Sequence, residues 1–284
     1  MNPRQLLATV CIGMAATTSA NAGLFSFSTG DPDGRMATGS RPDNPAAGKN
    51  EIETGDDFII TTPTAVDHAR FIGLLPSGAT INSVVAEIYR VFPRDSQSPP
   101  SGNVPTRVNS PSDVAFDSRD STASTLSFTT TVLSPSFTAA NTVLNGINKL
   151  PNQTTGGEGP ATGQEVQFDV TFSTPFQLAP DHYFFIPQVD VSGGDFLWLS
   201  APRPIVPPGD PLTPDLQSWI RNGNLAPDWL RIGTDIIGGV AFNAAFSLAG
   251  VETPDTTLPE PSVLGLLGGG LALVGLRQRR RPNG

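Results

Sequence analysis

Residues 164–176 read QEVQFDVTFSTPF, and their alternation constrains the fold more than any other feature of the chain. Val166, Phe168, Val170 and Phe172 fall on one side of an extended backbone, with Gln167, Asp169 and Thr171 on the other. Successive side chains of a strand point to opposite faces, so this stretch demands a sheet with one dry and one wet side, as antiparallel sheets have. Other segments repeat the signal. "DDFIITTP", "DHARFIGLLPSG" and "ATINSVVAEIYRVFPRD" read as three strands rich in β-branched and aromatic residues. Thr125–Ser134 alternates Leu126, Phe128, Thr130 and Val132. The stretch 181–205 reads as two strands joined in a hairpin by Gly193-Gly194, and "GVAFNAAFSLAG" sets Val240, Phe242, Ala244, Phe246 and Leu248 on one face.

Between the strands lie turn-forming segments, to which the 28 Pro and 29 Gly contribute. Gly23–Asp57 reads as a loop-rich arm, Asp95–Asp120 as a long loop of the kind that is usually functional or disordered, and Ala139–Leu150 as a short helix or turn. At least eight short strands with no alternating helices exclude a βαβ architecture. The expected class is all-β: an antiparallel β-sandwich, jelly-roll or immunoglobulin-like, over residues 23–250.

The two ends differ from this body. Met1–Ala22 has Arg4, an apolar run from Leu6 to Ala16 and the small residues Ala20 and Ala22 flanking Asn21, the layout of a signal peptide cleaved after Ala22. Cys11, the only cysteine, would leave with it, so the mature chain would have no disulfide. At the other end a Pro-rich linker, 251–261, closes with Pro259-Glu260-Pro261 and leads into a tail helix over 262–276 and a terminal segment, 277–284, carrying Arg277, Arg279, Arg280 and Arg281. The charge-free run Val263–Leu276 has 14 residues; as a helix it is ~21 Å long, short of a hydrocarbon core of ~30 Å. The arginines stop transfer and snorkel to the headgroups, lengthening the span and leaving the body outside. The run's six Leu and two Val contribute about −0.3 to −0.6 kcal/mol each before the cost of its glycines, which suits a temporary hold in the membrane.

The tail's three parts, Pro259-Glu260-Pro261, a Gly/Leu-rich hydrophobic helix and an arginine cluster, resemble the PEP-CTERM sorting signal of exported Gram-negative bacterial proteins. The resemblance implies recognition and cutting near Pro-Glu-Pro by a membrane-embedded exosortase, a transient stay in the inner membrane, and release to the cell surface or an exopolysaccharide matrix. The body also resembles β-rich exported proteins that open with an Asp-Asp-Phe strand, here Asp56-Asp57-Phe58, and that have no assigned activity.

Charge narrows the partners. Of 17 Lys and Arg, five lie in the two ends, and of 26 Asp and Glu only Glu260 does, so Gly23–Leu258 carries 12 positive and 25 negative groups, a net of −13. Such a surface repels phosphate backbones, which disfavours nucleic acid. No cofactor is expected; calcium is the ion that acidic loops suit, and Asp31-Pro32-Asp33-Gly34 has a calcium loop's opening spacing without its closing Glu. Catalytic signals are missing: His68 and His182, each beside an aspartate (Asp67, Asp181), read as loop or edge residues, and there is no Gly-x-Ser-x-Gly elbow. Carboxylate pairs such as Asp169 with Asp190 are unmarked as glycosidase pairs. Trp219 and Trp229 each begin a W-[IL]-R triplet. These triplets are either core-anchoring turns or, with Trp198, an exposed platform for sugar rings. The expected role is a non-enzymatic surface or matrix protein, with an exported glycan-binding protein or glycan-active enzyme as the alternative.

Overall fold

The computed structural model describes residues 22–92, 94, 100–147, 153–202, 216–239 and 241–253. Ala20, the Pro-Glu-Pro motif, the tail helix and the terminal arginines lie outside the described residues. So do Val240 and most of the linker.

In chain order the strands are β1 (Leu24–Ser28), β2 (Met36–Gly39), β3 (Ile52–Ile60), β4 (Thr64–Leu75), β5 (Thr80–Arg90), β6 (Asp117–Asp120), β7 (Leu126–Ala139) and β8 (Asn141–Val143). They continue with β9 (Ala161–Leu178), β10 (Asp181–Ser192), β11 (Leu197–Ala201), β12 (Trp219–Asn222), β13 (Leu230–Arg231), β14 (Asn243–Ala244) and β15 (Phe246–Glu252). Among the described residues they form two sheets, of nine and six strands. The larger runs β1-β15-β4-β11-β2-β8, with β9 on the other flank of β4, β7 beyond β9, and β14 against β11. The smaller runs β13-β12-β3-β10-β5-β6. Among the described residues helix is confined to a 3₁₀ turn at Pro45–Ala47 and a π-helical turn at Ile232–Ile237.

The alternation of β9 lands as its chemistry requires: Val166, Phe168, Val170 and Phe172 are buried, and Asp169 and Thr171 are exposed. One apolar cluster takes Phe71, Phe168, Trp198 and Phe246 from the larger sheet together with Phe58, Val84 and Phe185 from the smaller. Phe185 is its hub, with ring centroids 6.4 Å from Phe71, 6.2 Å from Trp198 and 5.4 Å from Phe246. Fully burying one such side chain contributes about 1.5–3 kcal/mol.

Four expectations are corrected. The arm 23–57 is not loop throughout. It contains β1 and β2 and opens β3, because Leu24–Ser28 gains its order by pairing with Val251–Ser247 at the far end of the chain. Gly193-Gly194 does not close a hairpin. β10 pairs β3 over Asp181–Phe185 and β5 over Tyr183–Ser192, and β11, instead of returning along β10, pairs β2 and β4 in the other sheet. The glycines make this crossing at φ 90° and 149°, and a Cβ on Gly194 would lie 2.4 Å from Pro76. Pairing is not purely antiparallel, since β2 and β8 run parallel. Within 139–150 the described residues are β8 and a turn rather than a helix: the carboxylate of Glu158 accepts the amides of Leu144 (2.8 Å), Asn145 (2.5 Å) and Gly146 (2.7 Å). Burial acts to raise the Glu158 pKa, but these amides outweigh it and hold the group below the ordinary range.

Candidate functional site

The W-[IL]-R triplets form a cross-strand device. β12 and β13 pair antiparallel with Trp219 opposite Arg231 and Ile220 opposite Leu230. The Arg221 guanidinium therefore stacks on Trp229, 4.3 Å from its centroid, and Arg231 lies 5.9 Å from that of Trp219. Each arginine covers the other triplet's indole.

Trp198, Trp219 and Trp229 are 1%, 1% and 0% exposed. Trp198 donates its indole N–H to the Ala245 carbonyl at 3.0 Å and Trp229 to that of Ser112 at 3.2 Å. Their rings are consumed by packing, Trp198 between the sheets and the other two on the smaller sheet's second face with Tyr89, Phe184 and Ile186. This corrects the sugar-platform expectation for these residues, since a stacking face must be open to solvent.

The second face of the smaller sheet is where sequence patterning expects water. Glu53 on β3, Glu87 and Tyr89 on β5 and Arg221 on β12 alternate away from the core-facing Phe58, Val84, Ala86 and Ile88. Yet Glu53 is 2% and Arg221 6% exposed, because residues 100–116 and the turn 223–229 between β12 and β13 pack over them. Every guanidinium N–H of Arg221 is used. Nε and Nη2 bind the two oxygens of Glu53, Nη2 also donates to Tyr89 Oη at 2.9 Å, and Nη1 donates to the carbonyls of Asp113 (3.0 Å) and Pro227 (3.4 Å). Tyr89 donates its own proton to Glu53 at 2.6 Å. A bidentate pair with all donors filled is the form in which a buried ion pair is tolerated.

Charge is unbalanced here, with Glu51, Glu53 and Glu87 around one cation. Burial, then the charge of Glu53, raises both Glu51 and the Tyr89 phenol. Burial, then Glu53 and Glu51, push Glu87 up to about 8. Burial acts to lower the Arg221 pKa, but the charge and hydrogen bonds of Glu53, with Tyr89 and Glu51, together outweigh it and hold the guanidinium above its ordinary value. Burial and these neighbouring carboxylates favour the protonated form of Glu87. A carboxyl raised on folding above 4.5 takes up a proton as the chain folds, so its stabilising contribution is complete at acid pH and is lost as pH rises towards 8. At about 1.4 kcal/mol per pKa unit, wild-type protein is expected to lose a few kcal/mol more than Glu87→Gln between about pH 5 and pH 8. Urea unfolding of both proteins across this range checks it; parallel pH profiles would contradict it.

A second buried pair closes the same face. Arg107, 1% exposed, donates to Asp228 Oδ1 at 2.9 Å and also binds Asp113, with its guanidinium 4.5 Å from the Phe92 ring centroid. Asp228 Oδ2 in turn accepts the amide and hydroxyl of Ser101. The long loop expected at 95–120 thus ends in β6, and its described part, 100–116, is pinned onto the 216–232 segment.

His182 Nε2 lies 2.7 Å from Asp57 Oδ2, and exposed His68 lies 2.6 Å from its chain neighbour Asp67. Among the described residues neither ring has a serine or threonine hydroxyl as partner. Asp-Asp-Phe divides its labour: Asp56 accepts the Ala244 amide at 2.7 Å, Asp57 takes His182, and Phe58 enters the core. Asp169 and Asp190 sit on different sheets, engaged by Gln167 and by Asn44 and Asn82 respectively. In the candidate calcium loop Asp33 accepts the Arg35 amide at 3.0 Å and the Ser200 hydroxyl at 2.5 Å. Among the described residues no group of three or more His, Cys, Asp or Glu is placed to hold a metal ion, and no helix is long and apolar enough to cross a membrane. An apolar groove of about 220 Å³ lies between Leu74, Pro76, Leu144 and Leu197, with Asp195 at its rim. Ligand pockets usually hold about 300 Å³ or more.

The charged networks were hidden from sequence because their members come from three strands and two covering segments. The doubled W-[IL]-R triplet was the one signal that could have joined Arg221 to Trp229. No protein family, curated protein or solved structure was found to match the chain.

Proposed function

We propose that the chain is an exported surface or matrix protein whose C-terminal tail is a sorting signal, and that the body is a jelly-roll or immunoglobulin-like sandwich with a structural or binding role. In this reading the signal peptide directs export, the tail helix and its arginines hold the precursor in the inner membrane, and an exosortase-type membrane protease cuts near Pro259-Glu260-Pro261. The body then passes to the surface or an exopolysaccharide matrix.

The observation that carries the reading is the tail itself, three parts in order at the end of a body of opposite character. A feature of the body supports it. β1 and β15 lie side by side, with Leu24 opposite Val251 and the Glu252 amide donating to the Gly23 carbonyl at 2.8 Å. The first residue after the expected cleavage and the end of β15, which takes in Val251 and Glu252 of the expected linker, therefore leave the body together. Both membrane-bound ends of the precursor depart from one place, and removing either strips no strand from the described fold. The buried Glu53–Arg221 and Arg107–Asp228 pairs likewise make sense as internal ties of a body that must hold together without disulfides. The test is to recover the protein from its native host and determine which of its encoded ends remain.

A further inference from the structure

Gly23 and Glu252 face each other where the first and last strands of the body end. Among the described residues β1 pairs with β15 alone, in a register that sets Leu24 against Val251 and Ser28 against Ser247. The same register continues one step further, and the Glu252 amide donates to the Gly23 carbonyl at 2.8 Å. On its other flank Glu252 lies opposite Thr64 of β4. The next residue, Thr253, donates its amide (2.7 Å) and its hydroxyl (3.1 Å) to the Pro63 carbonyl. The backbone of Glu252 is thereby fixed from both sides.

Its side chain turns back over Gly23. A Cβ added to Gly23 would collide with the Glu252 carboxylate, with Oε2 the nearest atom. Nitrogen and Cβ are both substituents of Cα and lie about 2.5 Å apart, which puts Oε2 within about 5 Å of Gly23 N. Over that range an opposite charge favours the ionised form of a group. In the uncut chain, however, Gly23 N is an uncharged amide. Among the described residues no cation or hydrogen-bond donor is paired with the Glu252 carboxylate, and Thr64 brings no charge from the other flank. Gly23 and Glu252 are both half-buried, so water screens the spot less than it screens an open surface. A half-buried carboxylate aimed at a backbone nitrogen, in a body of net −13, is a counter-ion without its cation.

We propose that the cation is the α-ammonium of Gly23, created when the chain is cut after Ala22. The inference rests on the reading of Met1–Ala22 as a removable signal peptide. The cut is a hydrolysis: the C–N bond between Ala22 and Gly23 breaks, water gives its hydroxyl to the Ala22 carbonyl carbon and its hydrogen to the Gly23 nitrogen, and the released amine takes up a proton at neutral pH. The ion pair then sits at the first residue of the processed chain, one position before β1. That strand is held by one neighbour and by the buried ring of Phe27, and its leading end is where fraying starts. Pairing with Glu252 closes this end onto β15, so processing fastens an edge strand that the precursor leaves unfastened.

The test exports the full chain from a Gram-negative host and reads the N-terminus of the product by mass spectrometry. In a product that begins at Gly23, reductive methylation with carbon-13, which keeps the charge, makes the α-amine visible to NMR beside only Lys49 and Lys149. Its titration midpoint is expected to lie above the ordinary value of about 8 and to fall back to it in Glu252→Gln. Added salt is expected to move the wild-type midpoint in the same direction. The backbone amide of residue 252 is expected to exchange several-fold more slowly in the cut chain than in the uncut one, and Glu252→Gln should abolish that difference. A cut chain whose midpoint stands at the ordinary value, unmoved by Glu252→Gln and by salt, would overturn the pair and leave the processing intact. A product that begins elsewhere than Gly23 would instead overturn the cleavage reading, and the pair with it.

Discussion

Arg221→Met is expected to destabilise the protein by about 3–5 kcal/mol, the usual consequence of removing one partner of a buried ion pair. The loss has three sources. Glu53, 2% exposed, is left anionic without its bidentate partner. The carbonyls of Asp113 and Pro227 lose the donor that ties both covering segments to the sheet, and the faces of Trp229 and Tyr89 lose their cation. Methionine fills much of the volume, so the effect is electrostatic more than a cavity. Arg221→Lys should recover little, because an ammonium cannot reproduce the planar fork or the stack. Chemical denaturation at neutral pH measures this; a loss below about 1 kcal/mol, the range of exposed ion pairs, would contradict it.

Arg107→Leu is expected to cost a similar amount, about 3–5 kcal/mol, with a different signature. Asp228 is 1% exposed and, among the described residues, would keep only Ser101 as a side-chain partner. The double variant Arg107→Leu/Asp228→Asn, which removes the stranded charge, should recover most of the loss, and a double-mutant cycle measures the coupling. Because Arg107 lies in the loop 100–116 and Asp228 in the segment beneath it, the single variant should also open the loop to proteases before global unfolding. Equal losses in single and double variants would place the effect in packing instead of charge.

The strands legible from sequence are those whose burial is decided locally. β9 shows its two faces because one packs on the core and the other meets water, so period two survives in the residues themselves. β1 and β2 were not legible. Leu24–Ser28 and Met36–Gly39 are too short to carry a pattern and gain their order from β15 and β11, far along the chain. The Gly-Gly turn misled for a related reason: turn chemistry gives the local reversal, but the partners that β11 takes, β2 and β4, are supplied from far along the chain. The charged cluster was hidden by a second layer. Alternation correctly sets Glu53, Glu87 and Arg221 on the side away from the core, where a two-layer picture expects solvent. Residues 100–116 and the turn 223–229 turn that side into a second interior, in which Trp219 and Trp229 are buried with Tyr89 and Phe184.

The central claim is that the two hydrophobic ends are addresses removed in transit while the body travels on, and intact mass spectrometry of the protein recovered from its native host tests it most directly. The account predicts a chain that begins at Gly23 and ends near Pro259-Glu260-Pro261, found outside the inner membrane. A product that still carries Val263–Arg281 would contradict it.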